Sequence, residues 1–532
     1  MRVRQPGRHT MTSTDTWLVW LDDDLRLDDN PLWQAALEEH PAHLLVVYIL
    51  PETTFQPIGS VSPDAARLQP LSVARQRFLL ESLESLQAGL QALGSDLLIL
   101  QGDAAHLIPE LARQHACRGV IARRATGLVE RRQQQAVAAS CRLRQVNSGL
   151  LLDEDDLPFT LSELPETFSA FRRKLEKAYP DIQAMPAPVA APCALPSWPA
   201  QAPRGVQGNA RRLNAARDWQ SDPRGDHAFL GGEPAALQRL EHYLSPEHAG
   251  QYKTTRNRLS GTDFSTRFSA WLALGCLSPR RILDRLHTFQ KTLPELCETP
   301  QAAFKDSDWI RVELLWREYF HWDTRQLGRQ VFLAGRPGTD SLRHEACAAI
   351  PDALARWQAG MTGVPWVDAG MRELAATGWL SNRMRQNVAS YLIKDLGVDW
   401  RLGAAWFEHQ LLDHDVASNW GNWRYLAGVG RDPRADRHFN MMKQARQHDP
   451  LGHHVTRWIP ELETLPAGMQ RHAPWIAWSF RVTPGASGGI NGTTQSGYPR
   501  QPLHLVDAWQ PHLSDVTPTR VKPWLSGSFE RG

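Results

Sequence analysis

Cysteine is scarce. The 532 residues hold six, at 117, 141, 193, 276, 297 and 347, none near enough another for a metal knuckle or a redox dithiol. This excludes a disulfide-stapled secreted scaffold and points to free thiols in a reducing, cytoplasmic setting. Long apolar runs are missing too. The longest, Leu44–Leu50, is far short of the roughly 20 residues of a membrane helix, so no membrane contact is expected. Arg2, Arg4 and Arg8 precede only the short run Trp17–Leu21, which Asp22–Asp24 end, so a secretory leader is not expected. Charge is balanced at 59 basic against 57 acidic residues. Overall charge therefore does not advertise a nucleic-acid partner, although a local patch can. No GxGxxG or GxxxxGK[ST] element sits at a strand–helix turn, which removes two nucleotide fingerprints. No internal repeat is visible, and no metal site is expected: His409 and His414 lack HExxH spacing and read as structural.

What is present is a globular composition, 42% apolar and 22% charged, on a chain long enough for two or three domains. Tryptophan is abundant: 21 residues, 16 of them after residue 240. Two readings stay open, a large helical core or stacking on bases or a ring cofactor.

Residues 16–150 alternate apolar strands with helices. Strands are expected at Trp17–Leu21, Leu44–Leu50, Asp96–Leu100 and Gly119–Ala122, and helices at 72–93, 103–115 and 127–140. Continuous apolar strands between helices imply a parallel sheet covered on both faces, a Rossmann-like α/β domain. Residues 1–15 read as a loose tail and 151–234 as a connector. Within the connector, 180–204 holds seven prolines and reads as a stiff, extended linker outside any core. From 235 to 483 helical periodicity dominates and an all-α domain is expected, with helices near 264–274, 279–290, 306–328, 351–359, 366–377, 380–396 and 402–412. Residues 484–532, rich in Gly, Ser and Pro, read as a poorly ordered tail.

Four segments carry candidate chemistry. In Phe264–Gly275, Ser265 is a good N-cap, with Thr266 and Ser269 in the first turn. Such a start either simply caps a helix or seats an anion. In Asp308–Phe320, the residues Glu313, Trp316, Arg317 and Phe320 fall on one stripe by three- and four-residue spacing. That stripe suits a wet cavity that stacks a ring and holds a phosphate, or an exposed amphipathic face. In Gly378–Val388, the residues Asn382, Arg385 and Gln386 project together. Asp413–Tyr425 places two carboxylates, amides and aromatics in a glycine-broken stretch.

Together these segments resemble the photolyase/cryptochrome family, and most closely its DASH cryptochromes. "MRELAATGWLSNRMRQNVASYLIKDLGVDW", "HDVASNWGNW", "YPRQPL" and the opening "VWLDDDLRLDDN" carry the resemblance, which spans about residues 16–505. It implies an α/β antenna domain and a helical domain holding one noncovalent FAD in a bent form. By the resemblance, Tyr252 and the segment Ser265, Thr266, Arg267, Phe268 and Ser269 hold the FAD phosphates, with Arg317 also on the cofactor. Arg385 pairs with Asp413 beside the flavin, Asp415 accepts from the isoalloxazine edge, and Asn419 faces N5. Glu313 and Asn382 touch a cyclobutane pyrimidine dimer; Trp316, Gln386, Tyr425 and Arg256 bind the DNA around it. Trp423 and Trp400 match the first two members of an electron relay. The implied activity is light-driven splitting of the dimer. The alternative is a blue-light photoreceptor that binds nucleic acid or a protein without repair. A (6-4) photolyase would need a histidine pair near the lesion, and residues 382–386 offer none.

The sequence also departs from the family. Tyr425 and Gln386 stand where double-strand photolyases have tryptophan and methionine; DASH proteins share both changes. Less stacking area then remains to offset the few kcal/mol of base flipping, so single-stranded or looped DNA is the expected substrate. Leu21-Asp22 replaces Phe-Arg in the antenna turn, and Ala125 stands where pterin-binding relatives carry glutamate, which argues against a folate antenna. Cys347 occupies the third relay position. The basic stretch 431–446 reads as a DNA-backbone edge or a solvated face. A monomer is expected.

Overall fold

The computed structural model describes residues 15–58, 68–333, 335, 352–430, 438–479, 497–514 and 516. Cys347, residues 431–437, residues 1–14 and most of the segment after 483 lie outside the described residues.

Six strands, β1 (Thr16–Leu21), β2 (His43–Leu50), β3 (Leu98–Gln101), β4 (Cys117–Arg123), β5 (Leu143–Val146) and β6 (Gly205–Val206), form one sheet in the order β5-β4-β1-β2-β3-β6, and every pairing is parallel. Around it lie α1 (Pro31–Glu38), α2 (Val73–Ala92), α3 (Ala104–Gln114) and α4 (Leu128–Ala138). β1 is buried throughout and β2 everywhere but His43, because helices cover both faces; this is why these strands are uninterrupted apolar runs and not alternating ones. The expected α/β architecture is therefore present, with two strands the sequence did not announce. β5 is short and half-buried, and β6 is two residues at the sheet edge.

The proline-rich stretch is a correction. Leu195, Trp198 and Ala202 are buried. Leu44 N–H donates to Ser197 O, Leu195 N–H to Leu93 O, and the Trp198 indole to Ala202 O. Proline restricts backbone angles but does not prevent the apolar residues between prolines from packing, so 180–204 is a strap on the sheet edge and part of the core.

The rest is helical: α5 (Phe168–Ala178), α6 (Glu233–Tyr243), α7 (Tyr252–Thr255), α8 (Ser269–Ala273), α9 (Pro279–Leu296), α10 (Pro300–Ser307), α11 (Trp309–Leu327), α12 (Ala353–Gln358), α13 (Pro365–Thr377), α14 (Asn382–Ser390), α15 (Trp400–Gln410), α16 (Val416–Ala427), α17 (Met441–His448) and α18 (His453–Trp458). Trp271, Trp322, Trp357, Trp366, Trp400 and Trp458 are almost wholly buried, so most of the tryptophan excess is core. Residues 497–514 of the expected tail are a second correction. Tyr498 is fully buried and its hydroxyl donates to Asp368 at 2.5 Å, and Trp509 is buried as well. An aromatic ring every ten or so residues is enough to pin a Gly- and Pro-rich segment to a helical core.

α11 joins the two halves. Glu318, buried, accepts from the Leu151 and Leu152 amides at 3.0 and 3.2 Å and from the Trp322 indole. α16 packs between α11 and α15 at unusually close range. A Cβ added at Gly421 would lie 2.4 Å from the Phe320 ring, and one at Gly403 would lie 2.3 Å from Trp423.

Candidate functional site

The segment 261–268 runs without regular structure and is held from beneath by Arg239 of α6. Its guanidinium donates to the carbonyls of Thr262, Ser265 and Thr266 at 3.2, 2.9 and 3.0 Å and to Asp263 at 2.5 Å. The expected helix start at Ser265 is corrected: α8 begins at Ser269, because Arg267 sits at φ 57°, a left-handed angle a helix cannot absorb. Ser265, Thr266 and Ser269 thus present hydroxyls on a fixed loop and helix entry. Arg267 folds back onto the Thr262 and Gly261 carbonyls and lies 4.1 Å over the Trp379 ring. Burial and the neighbouring Arg239 push Arg267 down to about 10, which leaves it charged at neutral pH. Phe268 is buried, and Tyr252 is buried edge-on to Tyr243.

Across from this loop, Ser381 caps α14, and Arg385 in its first turn makes two parallel hydrogen bonds to Asp413, 2.9 and 2.8 Å. The geometry is the bidentate fork that guanidinium offers and ammonium cannot. Asn382, Arg385 and Gln386 stand at i, i+3 and i+4 of α14, but their partners differ. Asn382 opens α14, Arg385 turns to Asp413, and Gln386 accepts from Arg383, which also reaches Asn257.

Asp415 is more engaged than expected. One oxygen caps α16 through the Ser418 amide at 3.0 Å; the other takes His321 Nε2 at 2.6 Å and lies 3.4 Å from Arg317 Nε. Burial alone would raise this carboxyl, but His321 and Arg317 outweigh it and hold it well below the usual carboxylate range. Burial lowers His321 to about 4. Its Nε2 meets Asp415 at 2.6 Å and its Nδ1 lies 3.2 Å from the Thr126 hydroxyl. Arg317 also donates to Gly149 O at 2.6 Å. Glu313, Trp316, Arg317 and Phe320 fall at i, i+3, i+4 and i+7 of α11, with Trp309 one turn before Glu313 and His321 one turn after Arg317. Asn419 gives Nδ2 to Ala404 O at 3.0 Å, which leaves its carbonyl oxygen as the acceptor.

Glu313 accepts from the Trp309 indole at 2.9 Å and from Arg256. Lys253 and Arg256 lie 4.9 and 5.2 Å over the Trp309 ring. Burial raises Glu313, and Arg256 works against that rise. Trp316 is covered on one face by Phe168 of α5, with centroids 3.7 Å apart and planes 13° apart; Tyr425 meets it edge-on at 6.1 Å. Trp423 and Trp400 are buried; Trp423 lies 6.2 Å from Trp357, and Trp400 lies 5.8 Å from Trp420.

Sequence reasoning missed Trp309, Trp379, His321 and Phe168. Trp309 and His321 stand four residues, one helical turn, from Glu313 and Arg317 on α11 and could have been found by helical spacing, and Trp379 lies just before α14. Phe168 could not, because its partner lies on a distant helix.

A second polar region lies between the halves. A cavity of about 130 Å³ at the carboxyl ends of β1 and β2 is lined by Asp22, Asp23, Tyr48, Arg75, Glu130 and Glu408 among others. Burial raises Asp23 and Glu408, and Glu130 to about 7.

The donor set of the helical half fits a flavin dinucleotide. It offers hydroxyls and a fixed arginine on one loop, an arginine–carboxylate fork, and an amide carbonyl. It also leaves the Trp379 indole N–H buried without a partner. Comparison with known proteins agrees. Residues 309–516 match the model of the FAD binding domain of DNA photolyase, and residues 17–192 match that of DNA photolyase. A curated relative named cryptochrome DASH from Gloeobacter violaceus is 40% identical, over 87% of this chain and 89% of its own. One of the same name from Xenopus laevis is 36% identical over 96% and 92%. Among solved structures, a Synechocystis cryptochrome superposes with TM-score 0.77 at 32% identity, covering 94% and 98% of the two chains. A class III photolyase from Agrobacterium tumefaciens gives 0.72 at 27%, covering 96% and 99%. Among the described residues no helix is long and apolar enough to cross a membrane.

Proposed function

Because this chain belongs to the photolyase/cryptochrome family, with DASH cryptochromes among its relatives and FAD as its cofactor, we propose that it is a light-driven lyase that splits cyclobutane pyrimidine dimers, preferentially in single-stranded or looped DNA. Bound and reduced, FAD supplies the absorption of blue light and the electron that opens the cyclobutane ring and returns afterwards. The protein's own residues do the rest. Tyr252, Ser265, Thr266 and Ser269 hold the diphosphate, with Arg267 and Phe268 fixing that loop. Arg385 with Asp413, and Asn419, fix the ring end. Asp415 and Arg317 act one step back, by locking the start of α16. Glu313 and Asn382 hydrogen-bond the lesion; burial raises the Glu313 carboxyl while Arg256 opposes that rise. Trp316 and Tyr425 flank the flipped bases, and Arg256 with Lys253 takes the backbone phosphate.

The observation that carries this reading is the Glu313 niche. The Glu313 carboxylate is still 32% exposed, three cations, Lys253, Arg256 and Arg172, stand over the adjacent Trp309, and Trp316 follows one turn on. A charge-bearing acid beside an aromatic and a cationic rim suits a lesion entering with its phosphate. Flipping costs a few kcal/mol, and one stacked base returns about 1–3. With Tyr425 in place of a larger ring, the balance favours DNA that is already unpaired. Ala125 stands where pterin-binding relatives carry glutamate, so activity is proposed to proceed without a folate antenna.

One observation favours the photoreceptor reading instead. Phe168 already occupies one face of Trp316, where a base could have stacked. Anaerobic illumination of the reduced protein with dimer-containing single- and double-stranded oligonucleotides separates the two. Dimer loss, faster on single strands, is expected; no loss on either overturns the lyase.

A further inference from the structure

Three metal-ligating side chains that the proposed function does not use meet at the far side of the 261–268 loop. His242 closes the last turn of α6, His248 lies in the turn that follows, and Asp263 sits at the head of the loop. Their candidate ligand atoms all lie within 4.8 Å of one another. His242 Nε2 is 3.2 Å and His248 Nε2 3.8 Å from the two Asp263 oxygens, and the imidazole centroids are 5.1 Å apart. We propose that His242, His248 and Asp263 form a site for a late first-row divalent cation of the zinc class.

The argument is geometric and chemical. Zinc–nitrogen and zinc–oxygen bonds of about 2.1 Å place tetrahedral ligands roughly 3.3 Å apart. One separation, His242 Nε2 to Asp263 Oδ1 at 3.2 Å, stands close to that value already, and His248 Nε2 stands 3.8 Å from the other oxygen. The remaining gaps, all within 4.8 Å, close by small side-chain rotations, and the His242 side chain is 53% exposed. Two imidazoles and one carboxylate leave a fourth position for water. This set suits zinc, copper or nickel and not magnesium, which prefers oxygen alone. Supporting contacts are in place. Arg239, buried, holds one Asp263 oxygen at 2.5 Å and fixes the carboxylate, as hydrogen-bonded carboxylates do around bound metals. Tyr243 stacks on His248, 6.0 Å between centroids and 23° between planes. Arg239 also opposes the metal, because its charge already balances Asp263; this predicts micromolar and not nanomolar affinity. A cation here would tie the end of α6 to the 261–268 loop.

The test uses tag-free, full-length protein as isolated with its flavin, cleared of metal by a chelating resin. Equilibrium dialysis against zinc should give one site per chain, with magnesium unable to compete. His242→Ala and His248→Ala should each weaken zinc binding at least tenfold. His106→Ala, at an exposed histidine on α3, should leave it unchanged. Zinc should raise the thermal midpoint of the unaltered chain and of His106→Ala but not of His242→Ala. Without zinc, the midpoint of His242→Ala should match that of the unaltered chain, which shows the variant folded. Zinc binding by the double variant His242→Ala/His248→Ala at unaltered affinity, or displacement by magnesium at equal concentration, overturns the site.

Discussion

Two arginine–carboxylate pairs flank the proposed flavin and lesion site, and they are built for opposite purposes. Arg385 and Asp413 share two parallel hydrogen bonds, and the Asp413 side chain is 3% exposed. Arg256 and Glu313 share a single contact, with 25% and 32% of their side chains exposed. Breaking a buried pair strands a charge and costs about 3–5 kcal/mol. A half-buried single contact holds less than that, closer to the about 0–1 kcal/mol of a surface pair, and it can be exchanged for a ligand. The first pair is therefore an anchor and the second a latch: one fixes where the cofactor lies, and the other yields when a phosphate arrives to claim Arg256.

The largest effect expected from this contrast is at the anchor. Asp413→Ala should lose FAD on purification and unfold about 3–5 kcal/mol more easily in urea. Full occupancy with unchanged stability would show that the two pairs are equivalent and would remove Arg385–Asp413 from the flavin site. Glu313→Ala is the matching cut at the latch. It should keep its FAD, change stability by less than about 1 kcal/mol, and repair several-fold less per photon absorbed. An undiminished quantum yield would take Glu313 out of the mechanism.

The pH dependence sharpens the same contrast. Burial raises Glu313, and Arg256 pulls it back down. If Glu313 gives a proton to the opened lesion, repair falls as pH climbs through its pKa, because the carboxyl is then ionised before it can donate. Arg256→Ala removes the lowering influence, so that fall should move to higher pH, and Glu313→Gln should abolish it. Quantum yield measured across pH on a single-stranded substrate decides this. A limb that stays in place in Arg256→Ala means that the latch does not tune Glu313.

What the sequence shows and hides follows from the range of the interactions. β1 and β2 are legible as uninterrupted apolar runs because burial on both faces is a local pattern. Arg385 and Asp413 were paired from the family resemblance, and the bidentate geometry agrees with that pairing. The strap at 180–204 was misread because proline marks backbone stiffness and says nothing about Leu195 and Trp198 between the prolines. The helix start at Ser265 was misread because a left-handed Arg267 depends on Trp379, more than a hundred residues away. Phe168 on Trp316 and His321 on Asp415 are tertiary choices with no local signature. Each of them changes the role expected of its partner.

The smallest effect concerns strand preference, and the structure alters how it must be tested. Tyr425 and Gln386 were expected to act alike, each replacing apolar stacking area with a polar group. Their surroundings differ. Tyr425 meets Trp316 edge-on, so Tyr425→Trp adds ring area next to an existing aromatic wall. At about 25 cal/mol per Å² a few tens of Å² give roughly 1 kcal/mol, about fivefold in affinity. Gln386 instead accepts from Arg383, which also donates to Asn257. Gln386→Met adds apolar area but releases a half-buried guanidinium, and the freed charge draws any backbone regardless of sequence or pairing. Tyr425→Trp alone should therefore raise affinity for dimer-containing duplex about fivefold with an unchanged salt slope, because only uncharged contacts were added. Gln386→Met alone should raise binding to damaged and undamaged DNA alike, and with a steeper salt slope. Fluorescence anisotropy across a salt series with both DNA forms reads the two apart. If Tyr425→Trp leaves duplex affinity unchanged at fixed salt, stacking at this wall does not limit flipping, and the strand preference lies with the backbone contacts around Arg256 and Lys253.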